Sequence, residues 1–75
     1  MSKKGDIKKA IIDSEKEIEL LEKKRGRSQS ALLEAIITNM KPSEDDVKYF
    51  KVYSSLIAAE RENLRRLKDE LAKLK

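Results

Sequence analysis

Apolar residues recur along this chain at alternating steps of four and three. In the first half, Ile7, Ile11, Ser14, Ile18, Leu21, Arg25, Ser28, Leu32, Ala35 and Asn39 keep that spacing unbroken. In the second half, Asp46, Phe50, Tyr53, Ile57, Glu60, Leu64, Leu67, Leu71 and Leu74 do the same. A 4-3 step returns to one side of an α-helix, so each series is a coiled-coil seam with a few polar insertions. One stretch interrupts the pattern, Asn39-Met40-Lys41-Pro42-Ser43. Proline disfavours helical geometry at the residue before it, which places the end of the first helix at or before Lys41. Ser43 reads as an N-cap, and Glu44, Asp45 and Asp46 complement the positive end of the following helix dipole. The expected fold is all-α: an antiparallel two-helix hairpin with a coiled-coil-like seam and a turn near residues 39–43. Helix 1 should run from about residue 6, with Asp6 as a plausible cap, to 40, and helix 2 from about 43 to 74. Each would be roughly 50 Å long at about 1.5 Å per residue.

Folding the two seams about the turn suggests a register. It pairs Ile11 with Leu74, Ser14 with Leu71, Ile18 with Leu67, Leu21 with Leu64, Arg25 with Glu60, Ser28 with Ile57, Leu32 with Tyr53 and Ala35 with Phe50. Small residues then meet large ones, and the two mid-seam charges, Arg25 and Glu60, meet with opposite sign as a structural ion pair. The flanks agree, with Glu15 facing Lys68, Glu22 facing Arg61 and Ile36 facing Val47. The basic stretch KKRGRSQS, Lys23–Ser30, reads as helix interior. Gly26 weakens the helix there by about 1 kcal/mol relative to Ala without breaking it.

Composition narrows the function classes. The 75 residues allow one small domain, spanning 1–75. Charged residues make up 43% and aromatics 4%, against a compact multilayer globule, while the 39% of apolar residues are too periodic for disorder. The chain has no cysteine and no histidine, so disulfide and thiolate chemistry are excluded and the commonest general base and metal ligand is missing. No apolar run approaches membrane-spanning length and no signal peptide is evident, so the expected location is intracellular. The formal charge of +4 lies mostly in the first half, where Lys3, Lys4, Lys8 and Lys9 crowd the start.

A two-helix hairpin offers no concave pocket to desolvate a catalytic group, and no phosphate-cradling loop or nucleophile–base pair is present; no enzymatic activity, cofactor or metal is expected. Three consecutive acids at Glu44–Asp46 read as dipole complements rather than as metal ligands. Two binding surfaces remain. Apolar residues spill beyond the seam near the turn at Leu33, Ile36, Ile37 and Met40 on helix 1 and at Tyr49, Val52 and Leu56 on helix 2. They suit a protein partner or self-association into a four-helix bundle, against the plainer alternative of imperfect packing over a helix end. Lys23, Lys24, Arg27, Arg65 and Arg66 could neutralise phosphates, giving weak, salt-sensitive nucleic-acid binding. Glu19 and Glu62 also stand where they can pair Lys23 and Arg66 within their helices.

The lysine-rich opening MSKKGDIKKAIIDSEKEIELLEKKRGRS and the ending LRRLKDELAKLK resemble the small helix–loop–helix proteins associated with the UvsW helicase of T4-like phages, over essentially the full length. The resemblance implies an accessory role in DNA recombination, replication or repair, in the host cytoplasm beside a helicase, and leaves direct contact with DNA open. It supplies no site residues. A second likeness is to the hairpin co-chaperones of bacterial type III secretion, which would imply a chaperone or scaffold without a nucleic-acid role. The architecture suits both.

Overall fold

The computed structural model describes residues 3–74. It is an all-α antiparallel hairpin in which α1, Lys3–Ile37, packs along α2, Glu44–Lys73. The molecule measures 55 × 17 × 15 Å. Its length is that of α1, whose 35 residues span about 52 Å. The 4-3 spacing turns the expected faces inward. From Ile7 to Ala35 every seam position of α1 is buried or half-buried, and so is every seam position of α2 from Asp46 to Leu74. Ile7, Ile18, Leu21 and Ile57 form the most buried apolar positions, with the small Ser14 and Ser28 buried between them. KKRGRSQS is helical throughout, and a Cβ on Gly26 would meet nothing within 4 Å.

The helices reverse over residues 38–43, about where expected, with α1 ending before residue 40. Asn39 takes a left-handed backbone conformation, with φ 58°. Met40 N–H donates to the Ala35 carbonyl at 2.8 Å and Asn39 N–H to the Ile36 carbonyl at 3.2 Å, the paired bonds of a Schellman cap. Thr38 Oγ1 adds a bond to the Glu34 carbonyl at 2.9 Å. The first helix therefore stops at Ile37, short of residue 40, and Asn39 terminates it. Pro42 has a fixed φ and disfavours helical geometry at Lys41, and Ser43 is extended, with φ −62° and ψ 138°. Ser43 stands at the N-cap, but its side chain makes no capping hydrogen bond. Asp6 lies within the first turn of α1 rather than capping it.

The contacts between the helices place α2 about one heptad further down α1 than the expected register has it. Ser14 Oγ donates to Glu60 Oε1 at 2.8 Å, where Leu71 had been expected. Ser28 lines a groove with Tyr49 and Tyr53. Ile7 lies beside Glu70 and Leu74.

The Arg25–Glu60 ion pair does not form. Arg25 Nη1 instead donates to Ser54 Oγ at 3.5 Å, its guanidinium carbon stands 5.9 Å from the Phe50 ring centroid, and its Nε is buried without a partner. Glu60 accepts from Ser14 and from Asn63 Nδ2, the latter at 3.4 Å. The physical reason is that a single ion pair, which has to offset the desolvation of both charges, is too weak to pull the helices out of the register the connection imposes. The flank pair Glu22–Arg61 does meet, at 3.7 Å, because both side chains are long enough to lean across the offset.

Candidate functional site

Positions beside a seam fall on two flanks of an antiparallel pair, and two contacts identify them. On one flank Glu22 meets Arg61. On the other, Lys24, Arg27, Ser28, Asp46, Tyr49 and Tyr53 line a groove of about 330 Å³. Residues a whole number of heptads apart share a flank, so Ile36, two heptads after Glu22, lies on the Glu22–Arg61 side. Leu33, three residues before Ile36, continues that side and Ile37 borders it, while Met40 lies beyond the end of α1, in the connection. Leu56, one heptad after Tyr49, lies on the groove side, and Val52, between them at helical spacing, joins it.

The expected single apolar surface is thus two. Leu33, Ile36 and Ile37 stand on one flank, with Ile36 70% and Ile37 79% exposed, and Met40, 69% exposed, follows in the connection. Tyr49, Val52 and Leu56 stand on the other, about half exposed each. Leu20, one heptad before Arg27 and also exposed, extends the groove flank. It was missed because it lies far from the turn in sequence, although heptad counting would have found it. Tyr53 is a seam residue by its spacing. Its ring stacks beside Tyr49, with centroids 6.4 Å apart and planes at 29°, and forms part of the groove wall.

The basic residues divide too. Ser14 touches Glu60, so Arg65 and Arg66 lie beside the first part of α1, at least about 15 Å along the axis from Lys24. The register therefore does not bring Arg65 and Arg66 to Lys23, Lys24 and Arg27 as one surface. Several of these cations are already paired. Lys23 Nζ lies 3.9 Å from Glu19. Arg65 grips Glu62 through two nitrogens and reaches Asp69 at 3.0 Å. The hydrogen bond from Arg65 holds the Glu62 carboxyl below its usual range, and the same bond raises the Arg65 guanidinium. Among the described residues, Lys24 and Arg27 form no ion pair. They stand one helical turn apart on the groove wall.

Among the described residues no group of three or more acidic side chains converges to hold a metal ion, and no helix is long and apolar enough to cross a membrane. A second groove, of about 370 Å³ at the open end of the hairpin, is lined by Lys3, Ile7, Glu70, Lys73 and Leu74. What the geometry offers is binding through apolar stripes near the turn, one of them bordered by unpaired cations. Comparison with protein-family models, curated proteins and solved structures finds no match to this chain.

Proposed function

We propose that the hairpin is a non-catalytic accessory protein of DNA recombination, replication or repair that binds a protein partner such as a helicase and touches DNA weakly. The observation that carries the protein-binding part is the exposure of Ile36, Ile37 and Met40 in a molecule whose buried apolar core is small. Contiguous apolar surface of this kind is the usual mark of an interaction site. The DNA setting draws on the resemblance to the UvsW-associated hairpins and on the unpaired Lys24 and Arg27, with electrostatic attraction supplying a sequence-independent contact.

Two measurements test the two parts. The first titrates labelled hairpin with a short DNA duplex at about 50 and about 200 mM salt, where phosphate contacts differ most. Amide shifts at Lys23, Lys24 and Arg27 that fade with salt are expected. No shift at low salt removes the DNA setting and turns the hairpin into a chaperone or scaffold of the type III secretion kind. The second compares the native chain with Ile37→Lys, Met40→Lys as bait for the partner in an extract of its own cells. Loss of capture with unchanged helicity by circular dichroism is expected, and equal capture overturns the role of that flank.

A further inference from the structure

We propose that the groove flank, Lys24 and Arg27 on α1 with Tyr49, Val52 and Leu56 on α2, docks an acidic amphipathic helix of the partner protein; this rests on the protein-binding reading above and names its site. The spacing of Tyr49, Val52 and Leu56 is i, i+3, i+7, a ridge two turns long that is about half exposed along its length. Two packed helices leave a trough along their flank that a third helix fills by ridges-into-grooves packing, and apolar residues at the same spacing on the incoming helix would match the ridge. The stacked Tyr49 and Tyr53 rings line the trough and offer a rigid apolar wall with hydroxyls at its rim.

Charge selects the occupant. Lys24 and Arg27 stand on the opposite wall with no ion pair of their own among the described residues. Carboxylates along one border of the incoming helix would complete them. Asp46 lies at the turn end of the same trough and repels a carboxylate there, so the acidic border belongs beside Lys24. A second copy of this chain is the poorer occupant, because in a two-fold contact the groove lining offers only Asp46 to set against Lys24 and Arg27, one carboxylate for two cations. DNA can still meet Lys24 and Arg27 weakly from solvent, in competition with the helix, but it is the poorer occupant of the trough, because Asp46 opposes phosphate there and Val52 and Leu56 give it only apolar surface.

The test uses two synthetic helical peptides of three heptads with one leucine face, bordered by glutamates in one and lysines in the other. Calorimetry and amide shifts on the full-length hairpin are the readouts. The glutamate peptide is expected to bind about tenfold or more tightly than the lysine peptide, with shifts at Tyr49, Val52 and Leu56. Lys24→Glu with Arg27→Glu should reverse that preference while helicity stays unchanged. Equal affinities, no binding of either peptide, or shifts at Ile36 and Ile37 instead overturn the site, while continued capture of a cellular partner would leave the protein-binding reading standing. A hairpin dimer that occludes Val52 in sedimentation and exchange measurements would give the groove to a second copy. A single-stranded oligonucleotide that shifts Tyr49 and Tyr53 more strongly than the glutamate peptide would give it to nucleic acid.

Discussion

Arg25 is a charged residue at a seam position, and its guanidinium is only partly satisfied there. One nitrogen reaches Ser54 at the long limit of a hydrogen bond, the Phe50 ring lies below, and Nε is buried alone. An unpaired buried donor costs about 1–3 kcal/mol. Arg25→Met keeps the length of the side chain and removes that donor, so it should leave stability unchanged or raise it by about 1 kcal/mol in urea unfolding. Had Arg25 been paired with Glu60 in the core, the same change would cost about 3–5 kcal/mol. Gly26, its neighbour, has open space where a Cβ would stand. Gly26→Ala should therefore stabilise the hairpin by about 1 kcal/mol, visible as a rise in Tm. The helical state of this stretch was legible from the unbroken frame of Ser28, Leu32 and Ala35 beyond it. The partners of Arg25 were not, because they depend on where α2 lies along α1.

At the scale of the elements, the connection between the helices sets that position. A Schellman cap at Asn39 ends α1, and the extended run through Pro42 to Ser43 returns the chain along it. Two double-mutant cycles distinguish the observed offset from the charge-paired register. Ser14→Ala and Glu60→Ala should couple by about 0.5–1.5 kcal/mol, since each removes one end of the same hydrogen bond. Arg25→Ala and Glu60→Ala should be additive within about 0.5 kcal/mol, since the two side chains have separate partners. Strong coupling in the second cycle would restore the ion pair and overturn the offset. In the sequence, Pro42 was the visible stop signal. Asn39 carried the stronger one, because asparagine tolerates the left-handed conformation a Schellman cap requires.

For the molecule as a whole, the consequence of a two-helix architecture is a thin core. Ile57, 1% exposed, is its most enclosed side chain, and it sits mid-seam where no third layer can collapse into a vacancy. Ile57→Ala should cost about 2–5 kcal/mol and lower the thermal midpoint more than the same truncation at the exposed Ile12 or Ile37. The same thinness leaves both flanks open. The apolar residues near the turn were readable as surplus to the seam, and heptad counting separates them onto two flanks, but the company of Lys24 and Arg27 with Tyr49 and Tyr53 follows from three-dimensional placement.

That there are two helices, that they fold back on each other, and which face of each is turned inward all follow from the pattern along the chain. The 4-3 spacing specifies a helix face at every turn, and burial of apolar side chains enforces it. It could not determine the axial register, because sliding one heptad returns every seam residue to an equivalent inward position and leaves the hydrophobic pattern unchanged. Only the tertiary structure decided that, through the left-handed turn at Asn39 and the extended residues behind it. With the register came the partners of Arg25 and Glu60, the separation of the basic residues along the hairpin, and the groove.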